Sequence, residues 1–423
     1  MTRFYDIHFH AMNLSHPNIL AFLARFNLRL LLLAGSVIGP IVTFLAGGRI
    51  KRTLNLLSVM ENDIANFFLL LEYSLKYWPS AAGDPPPADG GKIIAGNMAY
   101  DRLVLTPLMM DFGAKNITTA SYYRFPPQKP IAEQVIDLFN GIARYTKYEL
   151  RASSTGEVRV LERLFPPLFE IYPFLGLNPR NYTLSEIETL LKKYFDDYTP
   201  DWEKFRAHMG TFDGDIGRMG SFNFMGIKVY PPLGFDPWPE KEPEELEKVN
   251  YLYNLASEKG LPITSHSSDG GFVTVKDSAY RTDPARWEEV LKRYPELKLN
   301  LAHMGHEGKR RWGIFPRKAW RKKVLNLVDK YENVYTDFSC LAFDDSFYED
   351  LRKTLDQAPK KLRQRILFGS DFMINLLWID SYNDYLARFL KTRYLTTEER
   401  HLFCSVNPCR FLKIGTDPIF LQK

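Results

Sequence analysis

Two histidines near the start of the chain could hold a metal ion. Residues 4–10 read FYDIHFH, a pattern typical of a β-strand. Side chains of a strand alternate between its two faces, so His8 and His10 point the same way while Ile7 and Phe9 point the other way. Neutral imidazole is the commonest metal ligand. The His-x-His pair therefore predicts half of a metal site, with two ordinary polar residues at a strand end as the alternative.

The elements that would position these histidines alternate along the chain. Strands are predicted near residues 3, 103, 165, 224, 261, 297, 333 and 365. Segments with helical spacing of apolar residues separate most of them, and strands joined by helices of about 10–15 residues form parallel βαβ units. Eight such units predict an α/β fold of the closed (β/α)8, TIM-like barrel type. A doubly wound open sheet is the alternative.

The connection between the first two predicted strands is unusually long, at about 95 residues. It contains an uncharged apolar run (30–48), a predicted amphipathic helix (53–77) and a loop rich in proline and glycine (83–91). We interpret residues 27–98 as a helical insertion, or lid, within a single domain that spans residues 1–423. The apolar run is just long enough for a bilayer, but its glycines and Pro40 weaken a continuous helix. Membrane association through residues 30–48 is therefore the less favoured interpretation.

Composition limits the partners and the compartment. Hydrophobic residues make up 45% of the 423 residues, enough for a large core. The net charge of +5 is well mixed along the chain and does not favour nucleic-acid binding. Only Cys340, Cys404 and Cys409 are present, which fits a reducing compartment, and no leader pattern opens the chain. The sequence predicts a cytoplasmic protein with a small-molecule substrate, and a homo-oligomer is possible.

The ends of the predicted strands complete the metal site. Active sites of such barrels lie at the carboxyl ends of the strands. Polar residues end six of the predicted strands, and these residues are His8, His10, Asp111, Lys228, His266, His303 and Asp371. Each has an ordinary alternative, such as a hydrogen-bonded core histidine, a turn-capping aspartate or a lysine that anchors a substrate anion. Their joint placement predicts a centre for a divalent metal ion.

Six motifs resemble those of the amidohydrolase superfamily. They are FYDIHFH (4–10), GIKVYPP (226–232), ITSH (263–266), LAHMG (301–305), LFGSD (367–371) and NPCRFL (407–412). The chain is most similar to the amidohydrolase-related branch that includes aminocarboxymuconate-semialdehyde decarboxylase. The resemblance extends from residue 1 to about residue 415, except for residues 27–98. It implies a distorted (β/α)8 barrel with one or two divalent ions, Zn²⁺ first and Mn²⁺ or Fe²⁺ as alternatives.

The resemblance implies two models of the metal centre. In the favoured model one Zn²⁺ ion has four protein ligands: His8, His10, His266 and Asp371. His303 then polarises the substrate or moves a proton, Asp371 accepts a proton from water, and Lys228 is a cation for the substrate. In the second model a carboxylated Lys228 bridges two ions, and His266 and His303 bind the second ion. The double proline in GIKVYPP favours one ion, since it resembles the mononuclear branch.

A metal centre of this kind supports two reactions. A bound divalent ion lowers the pKa of its water to about 7 and polarises a carbonyl group. Hydrolysis of an amide, ester or lactone is the leading function, and decarboxylation of a small carboxylic acid is the alternative. A non-catalytic or membrane-associated metal-binding protein is the third possibility. Candidate substrate contacts lie on loops that follow the strands, and they are Asp111, Tyr230, Trp238, Arg281 and Arg310.

Overall fold

The computed structural model describes residues 2–17, 47–80, 83–112, 131–308 and 319–413. Up to residue 107 the elements are β1 (Arg3–Phe9), α1 (Gly47–Met60), α2 (Ile64–Tyr77), β2 (Ala88–Asp89), β3 (Lys92–Ala95), β4 (Met98–Tyr100) and β5 (Arg102–Pro107). Up to residue 208 they are α3 (Ile131–Lys147), β6 (Tyr148–Ala152), β7 (Val158–Glu162), β8 (Phe169–Ile171), β9 (Phe174–Gly176), α4 (Leu184–Phe195) and α5 (Trp202–His208).

The carboxyl-terminal half alternates strands and helices most regularly. Up to residue 301 its elements are β10 (Gly226–Val229), α6 (Pro243–Lys259), β11 (Ile263–Ser265), α7 (Ser278–Thr282), α8 (Arg286–Arg293) and β12 (Leu299–Leu301). The remaining elements are α9 (Ala319–Lys330), β13 (Val334–Asp337), α10 (Asp345–Gln357), α11 (Lys360–Arg363), β14 (Ile366–Leu367), α12 (Tyr382–Lys391), α13 (Thr397–His401) and α14 (Asn407–Leu412).

Two parallel sheets carry the strands that end at the predicted site. The first has the order β1-β5-β8 and the second the order β14-β13-β12-β11-β10-β9. Every pairing within these two sheets is parallel. The residues of the strands in these two sheets are almost all buried, as expected where helices cover parallel sheets. The predicted α/β class and its parallel pairing are confirmed.

Single bridges connect the two sheets. Phe9 pairs with Phe372 on one side, and Leu108 pairs with Phe174 on the other. The third predicted strand, placed near residue 165, begins at Phe169 and is divided at Pro173 into β8 and β9. Proline has no backbone N–H to donate to a neighbouring strand. The division therefore lets β8 pair within one sheet and β9 within the other.

The segment between β1 and β5 differs from its prediction. A single helix over residues 53–77 is wrong, because α1 ends at Met60 and Asp63 starts α2. The carboxylate of Asp63 accepts a hydrogen bond from Asn66 N at 2.7 Å, which caps the new helix. Residues 88–100 form the antiparallel sheet β2-β3-β4 rather than helix. Residues 30–46 of the apolar run lie outside the described residues.

Helix α2 packs closely against the first strand and the chain that precedes β8. The Phe9 ring, on the opposite face of β1 from His8 and His10, lies 5.8 Å from Phe67 and 6.5 Å from Phe68 between ring centroids. Buried Glu72 accepts hydrogen bonds from Arg163 Nη2 at 2.8 Å and from Leu168 N at 3.0 Å. Through these contacts α2 is part of the main core.

No helix within the described ranges has both the length and the apolar character needed to cross a bilayer.

Candidate metal centre

The carboxyl ends of the strands surround one cavity of about 820 Å³. Predicted site residues contribute six side chains to its lining, and these are His8, His10, Tyr230, His266, His303 and Asp371. The five strand-end residues among them are buried. The structure therefore brings together, at one end of the strands, side chains that are up to 363 positions apart in the chain (371 − 8).

His8, His10 and Asp371 form one of two groups of potential metal ligands among the described residues, and His8, His303 and Asp337 form the other. His10 Nε2 lies 3.1 Å from Asp371 Oδ1, and His8 Nε2 lies 3.4 Å from the same oxygen. One ligand atom from each of the three residues lies within 4.8 Å of the other two. His8 and His10 come from the same face of β1, as their spacing predicts.

The hydrogen bonds of the two rings leave both Nε2 atoms facing Asp371. His10 Nδ1 lies 2.9 Å from Leu108 O, and because a carbonyl only accepts, Nδ1 carries the proton. His8 Nδ1 lies 3.1 Å from Asp337 Oδ2 and donates to that carboxylate. An unprotonated Nε2 of His10 at 3.1 Å from a carboxylate oxygen is an unfavourable contact of two acceptors. A cation between them removes the conflict, so the donor set fits a divalent metal ion.

His266 and His303 form a second pair with the same property. His303 Nε2 lies 3.1 Å from His266 Nδ1. The other ring nitrogens lie near backbone carbonyls, since His303 Nδ1 is 3.0 Å from Ser339 O and His266 Nε2 is 3.2 Å from Gly270 O. Protons directed to these carbonyls leave two lone pairs facing each other, which again suits a cation. The structure thus places His266 beside His303, while His266 itself belongs to neither of the two ligand groups.

The charge states of these groups are those that metal ligands require. Burial and the nearby Lys228 ammonium lower the pKa of His8 to about 3, so its ring is neutral. Burial and the neighbouring His303 likewise lower the pKa of His266. Burial alone would raise the pKa of Asp371, but its contacts with the rings of His10, His8 and His303 outweigh burial and lower this pKa below its usual value. The site therefore offers neutral imidazoles and an ionised carboxylate at neutral pH.

Asp337, at the end of β13, is a site residue that the sequence reasoning missed. It is fully buried, and its Oδ2 accepts from His8 Nδ1 at 3.1 Å and from Asn300 Nδ2 at 2.7 Å. Its Oδ1 accepts from His303 N and Ser339 N, both at 3.1 Å, and from Ser339 Oγ at 2.5 Å. Asp337 thus holds one histidine by its ring and another by its backbone. The signal was available, because the run VYTD ends the seventh predicted strand.

Lys228 lies beneath the cavity and not in its wall. Its side chain is 1% exposed, and its Nζ has no hydrogen-bond partner among the described residues. The ammonium lies 5.7 Å from the centroid of the Tyr230 ring. Burial lowers the pKa of Lys228 to about 8, and the charges of Asp337 and Asp371 oppose this effect. Among the described residues Lys228 is therefore a buried cation without a hydrogen-bond partner, close to the carboxylates of Asp337 and Asp371.

Of the predicted substrate contacts that the structure describes, only Tyr230 reaches the cavity. The carboxylate of Asp111 accepts from Asn178 N and Asn181 Nδ2, both at 3.0 Å. Trp238 is buried, and the guanidinium carbon of Arg293 lies 4.8 Å from the centroid of the Trp238 ring. Arg281 pairs with Asp277 at 2.8 Å. Asp111, Trp238 and Arg281 thus make structural contacts away from the cavity.

Arg310, the remaining predicted substrate contact, lies outside the described residues. The sequence reasoning also missed four aromatic residues of the cavity wall, which are Phe112, Phe272, Phe343 and Trp378. All four follow predicted strands, but an aromatic residue in a loop carries no signal that separates a cavity wall from a core.

Three residues of the site have backbone conformations that are rare for side-chain-bearing residues. The φ angles of His303, Cys340 and Asp371 are 61°, 56° and 59°. Such left-handed conformations cost about 1–3 kcal/mol each for residues other than glycine and cluster at functional sites. All three residues line the cavity and follow strands β12, β13 and β14.

Comparisons with known proteins give one family and several distant structures. Residues 208–414 match the family model described as amidohydrolase. No curated protein matches the chain. An uncharacterized TIM-barrel protein from Bordetella bronchiseptica is 9% identical, with 97% of this chain and 98% of that chain covered and a TM-score of 0.45.

A second structure is described as a probable 2-pyrone-4,6-dicarboxylic acid hydrolase from Acinetobacter baumannii. It is 13% identical, with 74% of this chain and 84% of that chain covered and a TM-score of 0.40.

Proposed function

We propose that this chain, whose residues 208–414 match the amidohydrolase family model, is a metal-dependent hydrolase that cleaves an amide, ester or lactone bond of a small molecule. The observation that carries the proposal is the convergence of His8, His10 and Asp371 on one buried point at the floor of a cavity. Two imidazoles and a carboxylate at this point form a ligand set that suits zinc.

We also infer that the two parallel sheets close into a single (β/α)8 barrel. The bridges between Phe9 and Phe372 and between Leu108 and Phe174 support closure at both seams. The hydrogen bond from Ile7 N to Phe368 O, at 3.0 Å, extends the first of these seams. Closure would direct all the strand ends toward the same cavity.

Three residues would hold the metal ion and two more would lie beside it. We assign His8, His10 and Asp371 as ligands, with the paired His266 and His303 as the adjacent nitrogen donors. A bound divalent ion supplies an activated water at neutral pH and polarises a carbonyl group.

The protein's own groups provide the proton transfers and the positioning. The ionised Asp371 carboxylate lies at the cavity floor, where it can take a proton from the attacking water. Because its Nδ1 donates to Ser339 O, His303 has a lone pair at Nε2, where it can accept a proton and then release it to the leaving group. Asp337 fixes the ring of His8 and the backbone of His303 at the same time. A preorganised site of this kind needs little rearrangement when the substrate binds.

Metal analysis of the gently purified protein tests the proposal. We expect one equivalent of a divalent metal, and a loss of most of it in His10→Ala. His208→Ala is the matched control, because His208 is exposed and lies outside the cavity lining. Full metal content in His10→Ala, or none in the wild type, would contradict the assignment.

A substrate panel tests the reaction itself. We expect hydrolysis of small esters, lactones or amides by the metal-loaded protein, and none by Asp371→Asn. Release of carbon dioxide from carboxylic acids, without any hydrolysis, would instead support a decarboxylase.

A further inference from the structure

We propose that the cavity selects substrates with an uncharged, apolar body, such as an aromatic or branched alkyl group next to the reacting carbonyl. This inference rests on the proposed hydrolase function and names the substrate class of the same site. It follows from the composition of the cavity wall above the histidines.

Two aromatic pairs line the wall. The rings of Phe112 and Phe272 meet edge to face with centroids 5.5 Å apart, and those of Phe343 and Trp378 stack at 5.8 Å with an angle of 23°. The four residues follow four different strands, β5, β11, β13 and β14. Aromatic faces contributed from four strand ends give a rigid apolar surface that a flat or branched substrate group can cover.

Trp378 is the part of this wall that is most open to solvent. Its side chain is 45% exposed, although its ring stacks on Phe343 and lines the cavity. Leu341 and Ile374 extend the same apolar surface. Covering this exposed surface with an apolar group of the substrate would remove it from water, which is favourable in proportion to the area buried.

In the part of the cavity wall that the structure describes, the charged side chains disfavour an anionic substrate body. Among the described residues that line it, the carboxylates are Asp371 and Asp269, and no lysine or arginine is present. The buried Lys228 lies outside the lining. Against this described part of the wall, a substrate carboxylate distant from the metal ligands would lose water without gaining a partner of opposite charge.

Binding of hydroxamic acids to the zinc-loaded protein separates the wall from the metal. Acetohydroxamate probes the metal alone, benzohydroxamate adds an apolar ring, and 4-carboxybenzohydroxamate adds a charge to that ring. By isothermal titration calorimetry we expect benzohydroxamate to bind at least about tenfold more tightly than acetohydroxamate. We expect the carboxylated ring to lose at least about tenfold relative to benzohydroxamate.

A pair of tryptophan variants locates the effect. Trp378→Ala should weaken benzohydroxamate about fivefold and leave acetohydroxamate unchanged. Trp78→Ala is the matched control, because Trp78 is 52% exposed and lies outside the cavity lining, so it should change neither affinity.

The possible failures are distinguishable. Equal binding of acetohydroxamate and benzohydroxamate, or tighter binding of the carboxylated ring, would overturn the apolar substrate class and leave the metal centre standing. If none of the three hydroxamates binds to the metal-loaded protein, both this inference and the proposed function are overturned.

Discussion

Replacing Asp337 by asparagine would exchange one carboxylate oxygen for an amide group at the centre of the site. Three donors surround Oδ1, from His303 N, Ser339 N and Ser339 Oγ, so the asparagine oxygen would remain there. The new amide nitrogen would then face His8 Nδ1 and Asn300 Nδ2, which both donate to Oδ2 in the wild type. The amide nitrogen is itself a donor, so both former hydrogen bonds to Oδ2 would lose their acceptor.

One of these conflicts has a local solution and the other does not. Asn300 Oδ1 is buried without a hydrogen-bond partner among the described residues, so a flip of this side-chain amide would offer an acceptor. His8 could accept the new hydrogen bond only by moving its own proton from Nδ1 to Nε2. That nitrogen faces Asp371 and is the one assigned to the metal. The substitution should therefore act mainly on metal affinity.

The expected loss in zinc affinity is about 10- to 100-fold, the usual effect of losing the partner that orients a metal-bound histidine. This corresponds to about 1.4–3 kcal/mol. The metal-free variant should lose about 1–3 kcal/mol in the free energy of unfolding, since bonds to an ionised acceptor become bonds to a neutral one. Competition with a chromogenic chelator measures the first quantity, and urea denaturation measures the second.

Two further variants make the Asp337 experiment decisive. Asp329→Asn is the control, because Asp329 is exposed on α9, and it should change neither quantity. Ser339→Ala removes one donor to Asp337 but keeps the carboxylate, so its loss of zinc affinity should be smaller. Zinc affinity in Asp337→Asn within twofold of the wild type would refute the view that this carboxylate sets the proton position of His8.

Three other predictions concern single buried groups. Asp371→Asn should abolish turnover in a steady-state assay, and retained turnover would exclude Asp371 as the proton acceptor. In the metal-free protein, Lys228→Met should raise the free energy of unfolding at pH 7 by about 3 kcal/mol, since burial lowers the pKa of this lysine from 10.5 to about 8. Between pH 8 and 10.5 the unfolded state of the wild type binds more protons than the folded state. The free energy of unfolding of the wild type, measured with urea, should therefore rise with pH over this range, and that of Lys228→Met should not. Glu72→Gln should cost about 3 kcal/mol by the same method, because Arg163, 5% exposed, loses its closest carboxylate and keeps only the more distant Glu149, at 3.8 Å. The more exposed Lys76, also paired with Glu72, should tolerate Lys76→Gln at a cost below about 1 kcal/mol, and equal losses would argue against burial as the cause.

The main features of the fold could be predicted because buried parallel strands leave a clear pattern. Their residues are apolar on both faces, so a polar residue at the carboxyl end of such a strand stands out. This reasoning found His266, His303 and Asp371, and the period of two placed His8 and His10 on one face. The resemblance to the amidohydrolase superfamily is confirmed by the family model.

Other features depended on contacts that a linear pattern does not contain. The orientation of His266 is set by the loop after β11, where Gly271 has a φ of 92°. A Cβ atom at Gly271 would lie 2.2 Å from the Tyr230 hydroxyl, so only glycine lets this loop approach. The break between α1 and α2 depended on the capping bond of Asp63, which competed with a continuous amphipathic pattern.

The packing of α2 has a consequence for any attempt to dissect the chain by truncation. A deletion of residues 27–98 would uncover Phe9 and strip Arg163 of Glu72, so lost activity would report misfolding and reveal nothing about substrate access. Helix α3 also packs closely against α2 at Gly141, where an added Cβ atom would lie 2.6 Å from the Ile64 side chain. The informative boundary for a truncation therefore lies before residue 47, where α1 begins.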